Sequence, residues 1–428
     1  MPRSTRGKGE GALFKDARGY WTATVELPQR DGKRRRKTVR ARDKDTAKNM
    51  LIALTKDLHD NGDLATTDQT VGQWFDYWFR AIVQPDVRPK TAEGYRTITY
   101  NHVIPTIGSV RLSKVSARTI RLVTDRVTSP VHSAGKDKPL RALSSTYALQ
   151  VHRVISIALE AAVREKRITS NPAKTMNAPR KQLTKLDVLT LPESVEAMKL
   201  FIADERYGTR WATALLTGAR RGEVLGLEVD RIGDSLDLSW QLQRMLFEHG
   251  CARMDDGNHS CRWTRAAECP ERKIVVPADY EYRPAGGGLY LTRPKSRAGW
   301  RVVPLVEPLK TLLERHMENN PPVNGMVFTR AGKPVHPDYD SKLWNEWMKA
   351  NMKKRTVRLH DLRHSTADLL YLAGIPEDLI SEILGHSTRA MSRAYKSKGN
   401  DLRLRQAMAS MSAMFDIPAV EKRPAVEA

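Results

Sequence analysis

LHDLRHSTADLL (residues 359–370) sets His360 and Arg363 three positions apart, and ILGHSTRAMSRAY (residues 383–395) follows it with His386 and Tyr395. Side chains three apart at the start of a helix leave one face and reach a common point. Upstream, TGARRGEVLGL (217–227) places Arg220 three residues before Glu223, a spacing that puts guanidinium and carboxylate on one helical face where the acid can orient the cation. Between the two lies LTRPKSRAGWRVVPL (291–305), with Lys295 in a turn between two apparent strands and Arg293 and Arg297 beside it. Either pair alone reads as a solvated helix pair. Their joint order, Arg220, Lys295, His360, Arg363, His386 and Tyr395, is a succession of cations, imidazoles and one phenol, which is what phosphoryl transfer through a tyrosine requires.

The chemistry explains the choice of residues. A phosphodiester at its transition state spreads negative charge over its nonbridging oxygens, so a site must present preorganised cations rather than bulk water. Arginine suits this because its planar fork binds two oxygens at once and keeps its proton. A phenol of pKa about 10 is ionised to about one part in a thousand at pH 7. A tyrosine nucleophile therefore needs nearby cations and a group to take its proton, which Arg220, Arg363 and an imidazole supply.

Composition agrees on the partner. The 428 residues suit two to three domains. With 72 Lys and Arg against 49 Asp and Glu the net charge is +23, so a polyanion, first of all nucleic acid, is the expected partner. No run approaches 18 apolar residues and no basic amphipathic helix stands alone at a terminus, which argues against a membrane. The start, MPRSTRGKGEGALF, lacks the apolar middle of a signal peptide. All three cysteines fall between Cys251 and Cys269, an odd count suited to a reducing compartment.

Up to residue 60 there are sixteen Lys or Arg against eight acids, a local excess. There GYWTATVEL alternates as a strand, PQRDGKRRRKTVRA reads as a turn and a basic second strand, and a helix is predicted from Asp45 to His59. Trp21, Val25, Leu27, Leu51 and Leu54 offer a small core, against the competing reading of a disordered basic tail. From Thr70 the period becomes helical, with Val71, Trp74, Phe75, Trp78 and Phe79 forming a stripe that reads as core packing rather than base stacking. Further helices are predicted at Lys90–Ile104, ended before Pro105, at Ala117–Val127 with Ser116 as N-cap, and at Ser145–Lys166. Beyond a Pro-containing, positively charged segment from Ser170 to Leu186 the pattern is mixed. Helices are expected near Pro192–Ala203 and Thr209–Thr217, and strands near Leu236–Leu242, Leu289–Thr292 and Trp300–Pro304, as one small sheet in a mainly helical α+β domain.

The boxes around Arg220, Lys295, His360 and Tyr395 together resemble the tyrosine recombinase (phage integrase) family over roughly residues 65–415, and the basic N-terminal part resembles its arm-type domain more weakly. The resemblance implies a multidomain chain, mainly α with small β-sheets. Residues 1–64 would be a small α+β arm-type DNA-binding domain that lays a sheet in the major groove. Residues 65–170 would be a helical core-binding domain, 171–186 a linker, 187–415 an α+β catalytic domain with an insertion at 246–287, and 416–428 a disordered tail. Arg34, Arg35, Arg36 and Lys37 would face DNA from the arm, while Arg88, Lys90, Arg96 and Arg111 would mostly touch phosphates. Tyr395 would attack the scissile phosphate to give a 3′-phosphotyrosyl bond and a free 5′ hydroxyl, with Lys295 protonating the leaving oxygen. His386, where the family carries His or Trp, would hydrogen-bond the phosphate, and Asp361 and Leu362 would need no chemical role. Bond energy stays in the covalent intermediate, so no metal or nucleotide is required for strand transfer, and no GxxxxGK[ST] loop occurs.

The implied partners are double-stranded DNA at core and arm attachment sites, three further copies in a homotetramer, a DNA-bending host factor and an excision factor, in the cytoplasm of a bacterial host on its nucleoid. The stretch DLRLRQAMASMSAMF puts Leu404, Met408, Met411 and Phe415 on one helix face, to dock on a neighbouring subunit or on its own domain. A non-enzymatic architectural or regulatory DNA-binding protein would account equally for the charge, yet has no use for the ordered six residues. A type IB topoisomerase shares the chemistry, and the arm domain and short catalytic domain argue against it.

One segment lies outside the family pattern. HGCARMDDGNHSCRWTRAAEC holds all three cysteines and two histidines, and Cys251, His259, Cys261 and Cys269, with His249 as a spare, could form a tetrahedral structural zinc site of Cys₃His type. The competing reading is an exposed polar loop with reduced thiols.

Overall fold

The computed structural model describes residues 11–30, 33–61, 69–129, 142–182, 187–254, 258–294, 300–352, 355, 357–385 and 398–415. The chain divides into two compact units, Met1–Leu183 and Thr184–Ala428.

The first unit opens with strands β1 (Ala12–Lys15), β2 (Trp21–Arg30) and β3 (Lys33–Ala41), antiparallel and in that order, followed by helix α1 (Lys44–Asn61). The sequence reading has two strands here; ALFK is short and sits in a Gly-rich, basic leader, so its period is not visible. Ala23, Val25 and Leu27 are buried. The register sets them opposite Val39, Lys37 and Arg35, while Thr22, Thr24 and Glu26 face Arg40, Thr38 and Arg36. Directly opposed residues share a sheet face, so the basic run is split between two faces.

The rest of this unit is helical. α2 (Val71–Tyr77) continues through a π-helical turn at Trp78–Val83 into α3 (Gln84–Asp86), and α4 (Pro89–Ile98) through a second at Thr99–Val103 into α5 (Ile104–Ile107). The helix predicted to stop before Pro105 therefore runs on. Pro105 has no N–H to give the ladder, and the widened π-helical turn just before it, Thr99–Val103, carries the helix past it. α6 (Ala117–Thr128) is capped by Ser116 and α7 (Ser145–Arg164) by Ser144. All five residues of the aromatic stripe are buried, and the Trp74 indole donates to the Ala158 carbonyl at 3.0 Å. Full burial of each such side chain is worth about 1.5–3 kcal/mol, so this stripe is core. Residues assigned to the linker also pack here: Asn171 bonds the Ser156 carbonyl and Glu160, and Ala173 is buried in the same core.

In the second unit α8 (Leu191–Ala203), capped by a Thr190–Glu193 box, α9 (Gly208–Thr217) and the short α10 (Arg221–Leu225) precede β4 (Ser235–Asp237), β5 (Gln241–Arg244), β6 (Tyr282–Gly286), β7 (Leu289–Thr292) and β8 (Val302–Pro304). Then follow α11 (Leu309–Asn319), a small hairpin of β9 (Thr329–Arg330) and β10 (Lys333–Pro334), α12 (Pro337–Asn351), α13 (Leu362–Leu372), α14 (Glu377–Leu384) and α15 (Lys398–Ala413).

One sheet was expected, and the described strands of this unit form three: β4 with β8, β5-β7-β6, and the hairpin. The single strand predicted at 236–242 is broken because the Asp237 carboxylate accepts the Ser239 N–H at 2.8 Å, a local turn that ends pairing and sends the two halves to different sheets. β6 also lies inside the stretch assigned to the insertion. Leu404, Met408, Met411 and Phe415 are buried in the core of their own domain, so α15 packs here on its own chain. The tail 416–428 lies outside the described residues.

Candidate active site

Every residue of α9 is buried. Arg210 pairs with Asp340 at 2.8 Å, with both side chains 4% exposed, and Thr366 of α13 donates to the Leu215 carbonyl at 2.7 Å. α9 is thereby fixed to α12 and α13. It ends at Gly218, whose φ of +60° is left-handed; a Cβ there would lie 2.4 Å from Leu384 Cδ2. Only glycine meets both conditions.

This turn delivers Arg220 as the N-cap of α10 rather than onto the helix face expected from the Arg-x-x-Glu spacing. Its backbone N–H donates to Glu223 Oε2 at 2.8 Å and its Nη1 to Oε1 at 2.7 Å. Glu223 is buried and orients the guanidinium, as the spacing predicts. Sequence reasoning missed the second claimant on that carboxylate. Arg301, also buried, donates to Glu223 Oε2 at 2.9 Å, to the carbonyls of Thr217 and Gly218 at 3.1 and 3.2 Å, and to that of Ile383. A guanidinium at an inward position one residue before a strand is the signal that was available. Arg363, on the first turn of α13, shares the Gly218 carbonyl at 2.8 Å and donates to Leu384.

Three guanidiniums thus gather in one place, two of them on the Glu223 carboxylate and the third on the Gly218 carbonyl that it shares with Arg301. Burial raises the Glu223 pKa, but Arg301 and Arg220 outweigh it and hold the carboxyl below its usual range. Burial lowers the pKa of Arg301 against the opposing pull of Glu223. Burial, with Arg301 and Arg220 close by, pushes Arg363 down to about 9, and it remains a cation at neutral pH. Desolvated positive charge in excess of its carboxylate is stabilised by an arriving anion.

His360 lies in a 3-10 turn ahead of α13, on the wall of a cleft of ≈ 490 Å³ lined also by Arg220, Arg221, Ser341, Asn345 and Arg358. Partial desolvation, then His364 and Arg363, lower its pKa below 6.5, so the imidazole is neutral at pH 7 and able to accept a proton. Asp361, given no chemical role by the sequence, is buried and holds Arg358 by two bonds of 2.7 and 3.0 Å, which fixes the turn that carries His360. Lys295, His386 and Tyr395 lie outside the described residues. Of the basic neighbours of Lys295, Arg293 is held between Trp240 and Trp300, 4.2 and 4.5 Å from the ring centroids, and donates to Ser239 Oγ at 2.6 Å.

Residues 287–400 match the model of the phage integrase family, and residues 70–123 match that of the phage integrase N-terminal SAM-like domain. The chain belongs to the phage integrase family. It is a tyrosine-type site-specific recombinase. The catalytic match spans Lys295, His360, Arg363, His386 and Tyr395 and leaves Arg220 to its left. An integrase of Saccharopolyspora erythraea is 29% identical over 434 residues, covering 92% of this chain and 94% of the relative, and an integrase of Streptomyces ambofaciens is 26% identical over 398 residues, covering 90% and 92%. Among solved structures, the Tn1549 transposon integrase in complex with a circular intermediate DNA superposes with a TM-score of 0.56 at 18% identity, over 75% of this chain and 92% of that one. The fold is shared.

The predicted DNA-facing residues of this recombinase are distributed unevenly. Arg34 and Arg36 stand on the open face of the arm sheet, whereas Arg35 and Lys37 share the face of Val25 and Leu27. Arg34 pairs with Glu26 at 3.6 Å and Arg35 donates to the Pro28 carbonyl at 3.4 Å. Arg88 caps α4, Lys90 is exposed and pairs with Glu93 at 2.5 Å, Arg96 lies in the last turn of α4, and Arg111 is exposed before the next turn. No described helix is long and apolar enough to cross a membrane. In the insertion the structure corrects the expected cluster. His249, Cys251, Cys261 and Cys269 converge, and His259 instead stacks on the His249 ring at 3.7 Å and 7°.

Proposed function

We propose that this recombinase is the integrase of a phage or mobile element, cutting and rejoining double-stranded DNA at attachment sites through Tyr395. The reading is carried by the Arg220, Arg301 and Arg363 cluster, in which Arg220 and Arg301 bond the carboxylate of Glu223 and Arg363 joins Arg301 on the Gly218 carbonyl. A scissile phosphate bound there would bring the missing negative charge, with Arg220 and Arg363 binding its nonbridging oxygens and Arg301 holding both in place.

Neutral His360 takes the phenolic proton as the Tyr395 oxygen attacks phosphorus. The bond from phosphorus to the 5′ oxygen breaks, Lys295 gives that oxygen its proton, and a 3′-phosphotyrosyl linkage remains. His386 hydrogen-bonds the phosphate throughout. The hydroxyl of the partner strand then attacks the same phosphorus and returns the tyrosine as leaving group, so no bond energy is lost and neither metal nor nucleotide enters strand transfer. Exchange between two duplexes uses four such sites, hence a tetramer on DNA, with host bending and excision factors setting direction, on the nucleoid in a bacterial cytoplasm.

The test is covalent capture. Wild type and Tyr395→Phe are incubated with fragmented genomic DNA of the source, denatured in detergent, and the protein-linked DNA is sequenced. Adducts from wild type alone, clustered at one or two loci, are expected. Absence of adducts from a preparation that still binds DNA would overturn the proposal, and adducts scattered along the genome would indicate a topoisomerase.

A further inference from the structure

Between β5 and β6 the chain leaves the sheet and returns. Glu248 and Lys273 close the base of this excursion, with N–H to carbonyl bonds of 2.8 and 3.0 Å in both directions. Within it, the described residues from 246 to 287 include only two buried side chains, Cys251 and Cys269. A segment of this size without an apolar core needs a staple of another kind. The three cysteines are free thiols, so no disulfide supplies it.

The geometry of the four converging side chains supplies the alternative. Cys269 Sγ lies 3.7 Å from Cys251 Sγ, and His249 Nδ1 lies 3.9 Å from Cys251 Sγ and 3.4 Å from Cys261 Sγ. All four ligand atoms fall within 4.8 Å of one another. Metal–sulfur bonds of about 2.3 Å and a metal–nitrogen bond of about 2.0–2.1 Å in a tetrahedron give ligand–ligand edges of about 3.5–3.8 Å. The observed separations bracket those edges and are far from the roughly 2.05 Å of a sulfur–sulfur bond. The stacked ring of His259 holds the His249 imidazole in its plane, the kind of outer support that orients a metal ligand.

We propose that His249, Cys251, Cys261 and Cys269 bind one zinc ion in a closed tetrahedral site that folds the insertion. Three thiolates and an imidazole with no open position make a structural site rather than a catalytic one. The ligands fall inside the Glu248–Lys273 closure, four residues beyond the Arg244–Leu289 end of the β5–β7 pair, and only the return segment, residues 274–281, reaches Tyr282 at the Thr292 end from which the segment carrying Lys295 leaves. With all four positions filled by protein, zinc stabilises the insertion without entering the phosphoryl chemistry.

Metal content of the untagged, gel-filtered full-length chain tests this. We expect about one zinc per chain, a drop of tenfold or more in Cys251→Ser/Cys269→Ser and in His249→Ala, and retention in His259→Ala. On the wild type, exchange of zinc for cobalt should give thiolate-to-cobalt charge-transfer absorption with tetrahedral ligand-field bands, and chelation should open residues 246–281 to protease while the remaining domain resists. Metal-free protein whose three thiols all react at once with a disulfide reagent would overturn the proposal. So would a Cys251–Cys269 disulfide in the purified chain, which would make the pair a redox element, or loss of zinc on removing His259 and not His249.

Discussion

Glu223→Ala would leave Arg301 buried without its carboxylate and Arg220 without its orienting partner. Breaking a buried pair by removing one member costs about 3–5 kcal/mol, so urea denaturation should show a loss of that order. Arg363→Ala removes a cation from the phosphate pocket and should lower strand cleavage by about 10²–10³ with DNA binding little changed. The pH dependence follows from His360. Its lowered pKa keeps the imidazole neutral and able to accept a proton from pH 8 down through 6.5, so the acid limb of cleavage should fall below 6.5 and disappear from the profile of His360→Gln. For Glu223 the folded pKa is depressed, so its stabilisation is complete above the unfolded value of about 4.5 and is lost only as pH falls through the folded one. At this scale the sequence was informative because phosphoryl chemistry dictates residue types at short spacings, as in His360 to Arg363. For Arg301 the alternation with buried Val303 marks an inward position, but nothing local shows that its partners there are Gly218, Glu223 and Ile383.

Elements with a strong helical period were readable, among them the stripe from Val71 to Phe79 and the Ser116-capped α6, because apolar spacing and caps are local properties. Short strands were not. The break between β4 and β5 depends on one side-chain hydrogen bond, and the continuation through Pro105 on a π-helical turn, neither of which leaves a periodic trace. Gly218 belongs to this scale, since its left-handed turn brings α9, α10 and α14 together. Gly218→Ala meets both an unfavourable φ and Leu384, and should cost about 1–3 kcal/mol in stability and most of the cleavage activity. The split of the basic run by strand period makes a further prediction for arm-site binding by titration. Arg34→Ala/Arg36→Ala should weaken it more than Arg35→Ala/Lys37→Ala, because only the first pair stands on the open face.

For the whole molecule, a net charge of +23 predicts binding governed by phosphate contacts, with affinity falling by about 10³-fold or more between 50 and 200 mM salt. Charge alone would suit any DNA-binding protein; the arginine cluster makes this one a strand-transfer enzyme. The most direct test of that claim is the chemical identity of the covalent link. The protein–DNA adduct is trapped, digested with nuclease and protease, and sequenced by mass spectrometry. A nucleotide remnant carried on Tyr395, and absent from Tyr395→Phe, is the predicted result. A remnant on another residue, or adducts that persist in Tyr395→Phe, would contradict the account.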